Sequence, residues 1–270
     1  MRAAGDDEGM PRDDGVVPGQ PCWVELAAGD PGEAASFYGE LFGWRMEYEE
    51  FEGYGRFMHE GKSAAGLWPE ATSGAAANWT VYFTVEDVRT SADLVREAGG
   101  QIVVEPRSLN GHGTLAGCLD PEDVFFMLWK PEDWGCTQAA GRPGYWSWTE
   151  LLTRDPERAQ GFYPRVFGWG RVRESDRVHW TVGGRVVASM KPIPPETGAE
   201  TLSAWLVHFA VADVREAADR AEALGAVRIK ELDDPLYGLA ITLADPQDAQ
   251  FVLIPVPPPE TAGRFPIAAR

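Results

Sequence analysis

Apolar and polar residues alternate along several short segments of the chain and then recur at helical spacing. Trp23 and Glu25 lie two positions apart, so a strand would place both on one face. Asp30-Pro31 then provides a helix cap and a first-turn proline, and Gly43 marks the helix end. Between them, four apolar residues recur at helical spacing: Ala34, Phe37, Tyr38 and Leu41. The pattern predicts a strand followed by an amphipathic helix.

Further strands and a second helix follow in the same half of the chain. Asp87 is the predicted cap of the second helix, and Gly99-Gly100 ends it. The strands are predicted at 45–51, 56–60, 63–68, 79–85, 101–105, 114–119 and 124–129, and the second helix at 88–98. The order strand–helix–three strands therefore occurs twice in this half.

The same pattern returns 125 positions later, which indicates a duplicated folding unit. The matched motifs are Trp23-Val24-Glu25-Leu26 with Trp148-Thr149-Glu150-Leu151, Phe42-Gly43-Trp44 with Phe167-Gly168-Trp169, and Asp120-Pro121 with Asp245-Pro246. We therefore predict two like domains, at 20–135 and 145–257. A linker at 136–144 joins them, a disordered leader covers 1–19, and a tail covers 258–270.

Charge and composition exclude several classes of function. The net charge of −18 repels phosphate backbones and anionic membrane surfaces, so we expect no nucleic-acid or membrane partner. No apolar run reaches the roughly 18 residues of a membrane span, and no secretory signal is recognisable. The three cysteines lack CxxC spacing, which argues against a disulfide framework and a zinc site. A cytoplasmic protein is the expectation.

The chain has eleven tryptophans, and several lie in predicted strands. Large amphipathic rings on the enclosed face of a sheet are typical of sites for flat ligands, although most such rings in proteins belong to the core. The tryptophans that we predict to line a cleft are Trp23, Trp79, Trp129, Trp148, Trp180 and Trp205.

These residues resemble the vicinal oxygen chelate superfamily, which includes glyoxalase I, bleomycin-resistance proteins and extradiol dioxygenases. The resemblance rests on the Trp-x-Glu-Leu strand, the Phe-Gly-Trp motif and the Asp-Pro turn, each present twice. It implies an α+β fold of two tandem domains, each built from two βαβββ modules that form a curled mixed sheet around a cleft. More narrowly, the tandem form is similar to actinobacterial proteins that accompany gene clusters for aromatic polyketides such as anthracyclines.

Enzymes of this superfamily hold a divalent metal with His, Gln and Glu side chains on the inner strands. The resemblance places those ligand positions at Trp23, Thr80 and Met127 in the first domain and at Trp148, Leu206 and Val252 in the second. None of these side chains suits a hard or borderline cation. We therefore expect neither a metal nor another cofactor.

Other polar and aromatic residues remain as candidates for binding or catalysis. Three alternative roles are open for the side chains of Glu25 and Glu150: a structural carboxylate, a polar anchor for a ligand, or a general acid–base group. The catalytic candidates are Glu25, Glu150, His112 and His208, and the ligand-binding candidates beyond the tryptophans are the two glutamates with Tyr82, His112, Met127, His208 and Tyr237. His208 replaces Tyr82 in the repeat, and Tyr237 replaces His112.

The favoured function is a metal-free protein that holds or sequesters a planar aromatic natural product, such as an anthracycline-like polyketide, during biosynthesis or self-resistance. A carboxylate could pair with an amino group of that ligand. The alternatives are a metal-independent tailoring enzyme or hydroxylase auxiliary, and a metal-dependent lyase or dioxygenase. The expected assembly is a monomer that acts as a pseudo-dimer, or a homodimer.

Overall fold

The structure is a computed structural model that describes residues 17–49, 53–69, 77–109, 111–132, 136, 140–174, 176–199 and 201–257. The predicted tail and residues 1–16 of the predicted leader lie outside these ranges. The first half contains β1 Pro21–Ala28, α1 Pro31–Phe42, β2 Arg45–Tyr48, β3 Gly55–His59, β4 Lys62–Pro69, β5 Asn78–Thr84, α2 Val88–Glu97, β6 Gln101–Ser108, β7 Gly113–Leu119 and β8 Phe125–Pro131. The element order is the predicted one.

The second half repeats this order. It contains β9 Trp146–Thr153, α3 Pro156–Phe167, β10 Gly170–Glu174, β11 Arg177–Val182, β12 Arg185–Pro192, β13 Ala204–Val211, α4 Val214–Ala223, β14 Val227–Asp234, β15 Gly238–Ala244 and β16 Gln250–Pro255. No helix within the ranges above has the length and apolar character that crossing a membrane requires.

Each half forms one open eight-stranded mixed sheet. The first sheet has the order β2-β3-β4-β1-β5-β8-β7-β6, and the second repeats it as β10-β11-β12-β9-β13-β16-β15-β14. In the first sheet β1 runs parallel to β4 and antiparallel to β5, and β5 runs parallel to β8. This arrangement confirms the predicted fold of two tandem domains with curled mixed sheets.

The helices begin where the sequence predicts. The side chain of Asp30 accepts a hydrogen bond from the backbone nitrogen of Glu33, and Asp87 does the same for Thr90. These bonds satisfy amide donors that the first turn of a helix leaves unpaired. Gly43 ends α1 in the left-handed conformation with φ of 74°, which glycine adopts without steric cost.

An aromatic core joins the two halves. Helix α1 packs its Phe42 against Phe209 of β13, with ring centroids 5.1 Å apart, and α3 packs its Phe167 against Phe83 of β5 at 5.0 Å. Helices α1 and α3 therefore each pack an aromatic side chain against a strand of the other half of the chain. The two domains therefore share one core.

Matched hydrogen bonds cross the same boundary. The Tyr38 hydroxyl donates to Asp245 Oδ2 at 2.9 Å, and the Tyr163 hydroxyl donates to Asp120 Oδ2 at 2.8 Å. Burial raises the pKa of both aspartates, and the hydrogen bond from the tyrosine opposes that rise. Because Asp120 and Asp245 belong to the duplicated Asp-Pro turn, the repeat itself builds this symmetric contact.

Candidate functional site

A cavity of about 490 Å³ lies in the concave face of the first sheet. Its apolar wall consists of Trp23, Ala27, Trp68, Val104, Leu109, Leu115, Phe125, Met127 and Trp129. Its polar lining consists of Glu25, Tyr54, Asn78, Thr80, Tyr82 and Arg107. The volume lies within the roughly 300–1,000 Å³ that is typical of small-molecule sites.

Strand alternation places these side chains in the cavity. Trp23 and Glu25 on β1 project from one face, and β5 pairs Tyr82 with Trp23 and Thr80 with Glu25. Across the next pairing, Tyr82 lies opposite Met127 of β8. A row of side chains therefore crosses the middle of the sheet and forms part of the cavity lining.

Glu25 is the acidic group of the cavity lining. The Tyr82 hydroxyl donates to Glu25 Oε1 at 2.8 Å, and Tyr54 also hydrogen-bonds to this carboxyl group. Burial raises the pKa of Glu25 to about 7, although both tyrosine hydroxyls act to lower it. The carboxyl group therefore exchanges its proton near neutral pH, inside a cavity.

The equivalent interior of the second sheet is filled by an ion-pair cluster. Arg177 Nε donates to Glu150 Oε1 at 2.5 Å, and its two terminal nitrogens donate to Asp234 Oδ1 and Oδ2 at 3.0 and 2.7 Å. The guanidinium carbon lies 5.1 Å from the ring centroid of Tyr237. All four side chains are buried. An arginine of this chain thus occupies the place where the first domain is open.

Burial and the bonds from Arg177 act in opposite directions on the two carboxyl groups of the cluster. Burial acts to raise the pKa of Asp234, but the hydrogen bonds from Arg177 and from the Leu236 backbone, together with the charges of Arg177 and Lys191, outweigh it, and the pKa falls below its usual value. For Glu150, burial raises the pKa despite the charge of Arg177. Arg177 bonds directly to both carboxyl groups, and these charge-assisted hydrogen bonds favour the charged form of each.

Strand pairing identifies which residues of the two domains correspond. Glu25 pairs with Gly66 across β1 and β4, as Glu150 pairs with Ser189 across β9 and β12. In the neighbouring hairpins, Arg45 pairs with Met58 and Gly170 pairs with Thr181. Tyr54 lies four residues before Met58, and Arg177 lies four residues before Thr181. Tyr54 and Arg177 therefore occupy equivalent positions.

In both domains the glutamate side chain hydrogen-bonds to a hydroxyl group, but that group comes from a different part of the fold in each. In the second domain Trp148 Nε1 donates to Ser189 Oγ at 2.9 Å, which in turn donates to Glu150 Oε1 at 2.8 Å. In the first domain a Cβ on Gly66 would lie 2.5 Å from the Tyr54 hydroxyl. The tyrosine oxygen therefore takes the place that the serine side chain has in the other domain.

Two of the four catalytic candidates lie away from the cavity in the second domain. Glu150 belongs to the ion-pair cluster, and His208 is buried beside Tyr237, with ring centroids 5.1 Å apart. Burial lowers the pKa of His208 to about 3, so this imidazole is neutral. His112 lies half-buried in the loop after β6 and is not among the cavity-lining residues. Of the four, only Glu25 lines the cavity.

Three of the candidate tryptophans lie on the opposite face of their sheets. Trp79 donates to the Tyr38 hydroxyl at 3.0 Å, Trp205 donates to the Tyr163 hydroxyl at 3.0 Å, and Trp180 packs beside Trp169 with ring centroids 5.5 Å apart. Neighbouring positions of a strand face opposite sides, and both sides of these strands are buried. These rings belong to the core, which corrects the expectation that they line a cleft. Trp148 and Tyr237 are packed within the second sheet.

The family's metal positions lie in the cavity but carry unsuitable side chains. Trp23, Thr80 and Met127 all line it. No group of three or more His, Cys, Asp or Glu side chains that could hold a metal occurs in the described part of the chain. An indole, a threonine hydroxyl and a thioether are poor ligands for the divalent ions of this superfamily. The donor set therefore does not fit a catalytic metal.

The sequence prediction missed Tyr54 and Trp68 in the cavity, and Arg177 and Asp234 in the cluster. Tyr54 and Arg177 lie ten and eight residues after the Trp of their Phe-Gly-Trp motifs. An alignment of the two repeats with a two-residue gap after the Phe-Gly-Trp motif pairs Tyr54 with Arg177 and would have identified this exchange.

Comparisons with known families and proteins agree with the fold. Residues 21–128 match the family model described as Glyoxalase/Bleomycin resistance protein/Dioxygenase superfamily. Residues 148–254 match the model described as Glyoxalase-like domain. Each family match thus covers one of the two sheets.

Curated relatives span nearly the whole chain. Anthracycline biosynthesis protein DnrV of Streptomyces peucetius is 30% identical over 260 residues, covering 88% of this chain and 94% of DnrV. CFP32 of Mycobacterium tuberculosis, whose name assigns it to the glyoxylases, is 31% identical over 263 residues, covering 92% of this chain and 99% of CFP32. The similarity therefore spans nearly the whole length of both relatives.

Solved structures support the same fold. The 2,3-dioxygenase LapB from Pseudomonas sp. KL28 aligns with a TM-score of 0.62 and 14% identity, covering 90% of this chain and 96% of that chain. The Mn(II)-bound glyoxalase from Novosphingobium aromaticivorans aligns with a TM-score of 0.58 and 14% identity, covering 91% and 89%. The chain belongs to the glyoxalase/bleomycin resistance protein/dioxygenase superfamily, as a member with two tandem domains.

Proposed function

We propose that this protein binds a planar aromatic small molecule in the cavity of the first domain without the help of a metal. The observation that carries the proposal is a cavity of about 490 Å³ with three tryptophan walls, Trp23, Trp68 and Trp129, and one acidic group, Glu25. By its relatives' names, an anthracycline-like polyketide is the ligand to try first. Holding or sequestering such a compound needs no catalytic residue.

The apolar wall supports binding through stacking and edge contacts. An aromatic pair contributes about 0.5–1.5 kcal/mol beyond the burial of apolar area. Met127 and Leu115 complete the wall, so a fused-ring ligand would meet apolar groups over most of its surface. The ligand class is therefore flat and largely apolar.

The second domain suggests what Glu25 recognises. There, Glu150 holds the guanidinium of Arg177 beside the ring of Tyr237. The first domain has the corresponding Glu25, but Tyr54 replaces the arginine and leaves space beside the aromatic walls. An amino group on the ligand would meet both the carboxylate and the ring faces, as the guanidinium does.

Tryptophan fluorescence tests the proposal. An anthracycline with an amino sugar is titrated into the purified protein, with free tryptophan as the correction for light absorbed by the ligand. We expect saturable quenching, with binding by Trp129→Leu weaker by about tenfold, equivalent to about 1.4 kcal/mol. Ile254 takes the place of Trp129 in the second sheet, so Ile254→Leu is the matched control and should bind like wild type.

Two outcomes would contradict the proposal. One is quenching no greater than the free-tryptophan correction at micromolar ligand. The other is a stoichiometric transition metal in the purified protein whose removal abolishes binding. Glu25→Gln should weaken the binding of the amino-sugar compound but leave the binding of its sugar-free aglycone unchanged. This comparison separates the role of Glu25 from that of the aromatic walls.

A second candidate function is a metal-independent tailoring enzyme. Its supporting observation is the pKa of Glu25, which burial raises to about 7, because an acid–base catalyst works best near the ambient pH. The test is to incubate a candidate polyketide with the protein and analyse the products by mass spectrometry. Turnover that Glu25→Gln abolishes would favour this function, whereas turnover at the wild-type rate would exclude Glu25 as the acid–base group.

A further inference from the structure

Two of the three cysteines pack together with residues that line the cavity. Cys22 and Cys118 are buried free thiols, and Cys136 is a half-buried one. Cys136 packs against the small apolar cluster that contains Cys22, Trp23 and Trp129. It lies at the start of the predicted inter-domain linker, far in sequence from Cys22 but next to it in space.

A local irregularity of the sheet directs Cys22 into this cluster. The pairing of β1 with β5 shifts register between Pro21 and Trp23. Such a bulge re-aims a side chain that regular alternation would turn to the other face. Cys22 therefore shares a cluster with Trp23, although the two residues are adjacent in sequence.

The two thiols interact directly and differ in access to solvent. The Cys136 side chain hydrogen-bonds with that of Cys22. Burial, reinforced by this neighbour, raises the pKa of the Cys22 thiol well above its usual range. Cys22 is thus a protonated, protected thiol, whereas Cys136 is the member of the pair that an oxidant can reach.

We propose that Cys136 and Cys22 form a reversible redox pair that a peroxide oxidises to a disulfide. In the first step the Cys136 thiolate attacks hydrogen peroxide; an S–O bond forms, the O–O bond breaks, and after proton uptake water leaves and a sulfenic acid remains. In the second step the Cys22 sulfur attacks that sulfenic sulfur; an S–S bond forms, the S–O bond breaks, and the Cys22 proton leaves with the hydroxyl as water.

The proposed bond lies next to two walls of the cavity. Trp23 follows Cys22 in the chain, and Trp129 belongs to the same cluster. A disulfide would hold the linker against β1 at this point, with the two Cβ atoms about 3.5–4.5 Å apart. The redox pair is independent of the proposed ligand, since its chemistry needs only the two thiols and a peroxide.

Counting thiols in the full-length protein tests the proposal. The reduced protein is treated with a small excess of hydrogen peroxide, alkylated with N-ethylmaleimide, denatured and analysed by mass spectrometry. We expect alkylated cysteines to fall from three to one, with Cys118 still alkylated and a Cys22–Cys136 linked peptide that dithiothreitol removes. Loss of Cys118 before the other two, or only intermolecular disulfides, would overturn the proposal.

Three variants assign the individual roles. Cys118→Ser should lose two thiols as wild type does. Cys22→Ser should form no intramolecular disulfide and should accumulate a sulfenic acid on Cys136 that dimedone traps. Cys136→Ser should keep both remaining thiols under the same dose; oxidation of Cys22 at the wild-type rate in this variant would overturn the assignment of Cys136 as the reacting thiol.

Discussion

Tyr54 of the first domain and Arg177 of the second lie at equivalent positions of their sheets, and this exchange accompanies the difference between an open interior and a filled one. The Tyr54 hydroxyl turns toward Glu25 and leaves a cavity beside it. The Arg177 guanidinium reaches into the same region of the other sheet and binds Glu150 and Asp234. The duplicated scaffold thus carries a ligand site in one copy and an internal ion-pair cluster in the other.

Arg177→Ala should destabilise the protein by about 3–5 kcal/mol, because it removes the guanidinium that bonds to two buried carboxyl groups and leaves Asp234 with only the more distant Lys191. Urea unfolding followed by circular dichroism measures the loss. Arg228→Ala is the control, since Arg228 forms its ion pairs with Asp219, Glu222 and Glu231 near the surface, and its loss should cost less than about 1 kcal/mol. Equal losses for both variants would contradict a buried, essential cluster.

The stability of the wild type should depend on pH through Glu25. Its pKa in the folded protein is about 7, raised from 4.5 chiefly by burial. The folded state therefore holds the proton more tightly, so this contribution to stability is complete below about pH 4.5 and is lost as the pH rises through 7.

Unfolding free energies of wild type and Glu25→Gln between pH 4.5 and 8 check this sign. Relative to Glu25→Gln, the wild type should become less stable as the pH increases. Glu47→Gln, at an exposed position of β2, should run parallel to the wild type. A wild-type curve that rises relative to Glu25→Gln would show that the carboxylate, rather than the acid, is the form that the fold prefers.

Gly66→Ala should lower the free energy of unfolding by about 1–3 kcal/mol, because the added Cβ would lie 2.5 Å from the Tyr54 hydroxyl and 3.0 Å from Glu25 Oε2. Adding Tyr54→Phe removes the colliding oxygen, so the double variant should lose less than the sum of the single losses. Gly161→Ala in α3 is the control: its Cβ meets nothing within 4 Å, and alanine favours the helix. Strict additivity would contradict the contact.

The fold was predictable because the motifs that define it occur twice in the sequence, 125 positions apart. Asp30 with Gly43 and Asp155 with Gly168 mark equivalent helix ends, and local capping chemistry requires little knowledge of the rest of the chain. Strand ends were less accurate: β6 continues to Ser108 rather than 105, and β2 ends at Tyr48, while residues 50 and 51 of its predicted span lie outside the described residues. Those ends depend on pairing with neighbouring strands.

The site was only partly predictable because both faces of the central strands are buried. Alternation groups Trp23 with Glu25 and separates Trp79 from Tyr82, but it does not say which group faces a cavity and which faces the core. Arg177 and Asp234, 57 residues apart, read as ordinary surface charges until the fold brings them together. Contacts distant in sequence leave no local periodic signal.

Tyr38→Phe and Tyr163→Phe should each cost about 1–3 kcal/mol, since each removes the hydrogen bond to a buried aspartate of the other half. Both variants should still unfold in a single transition, because the two halves share one core. Tyr48→Phe, at an exposed position, should change stability by less than about 0.5 kcal/mol. Two separate transitions in either variant would show that the halves unfold independently.

Helices α1 and α3 each pack against the opposite half of the chain. This packing has a consequence for any attempt to express one half alone. A fragment that ends before Tyr145 would present Phe42 and Tyr38 to water, with Phe209 and Asp245 missing as their partners. Such a fragment would bury those rings by associating with a second identical fragment. Gene truncation should therefore yield a dimer, in which two short chains rebuild the assembly that the duplicated gene encodes as one.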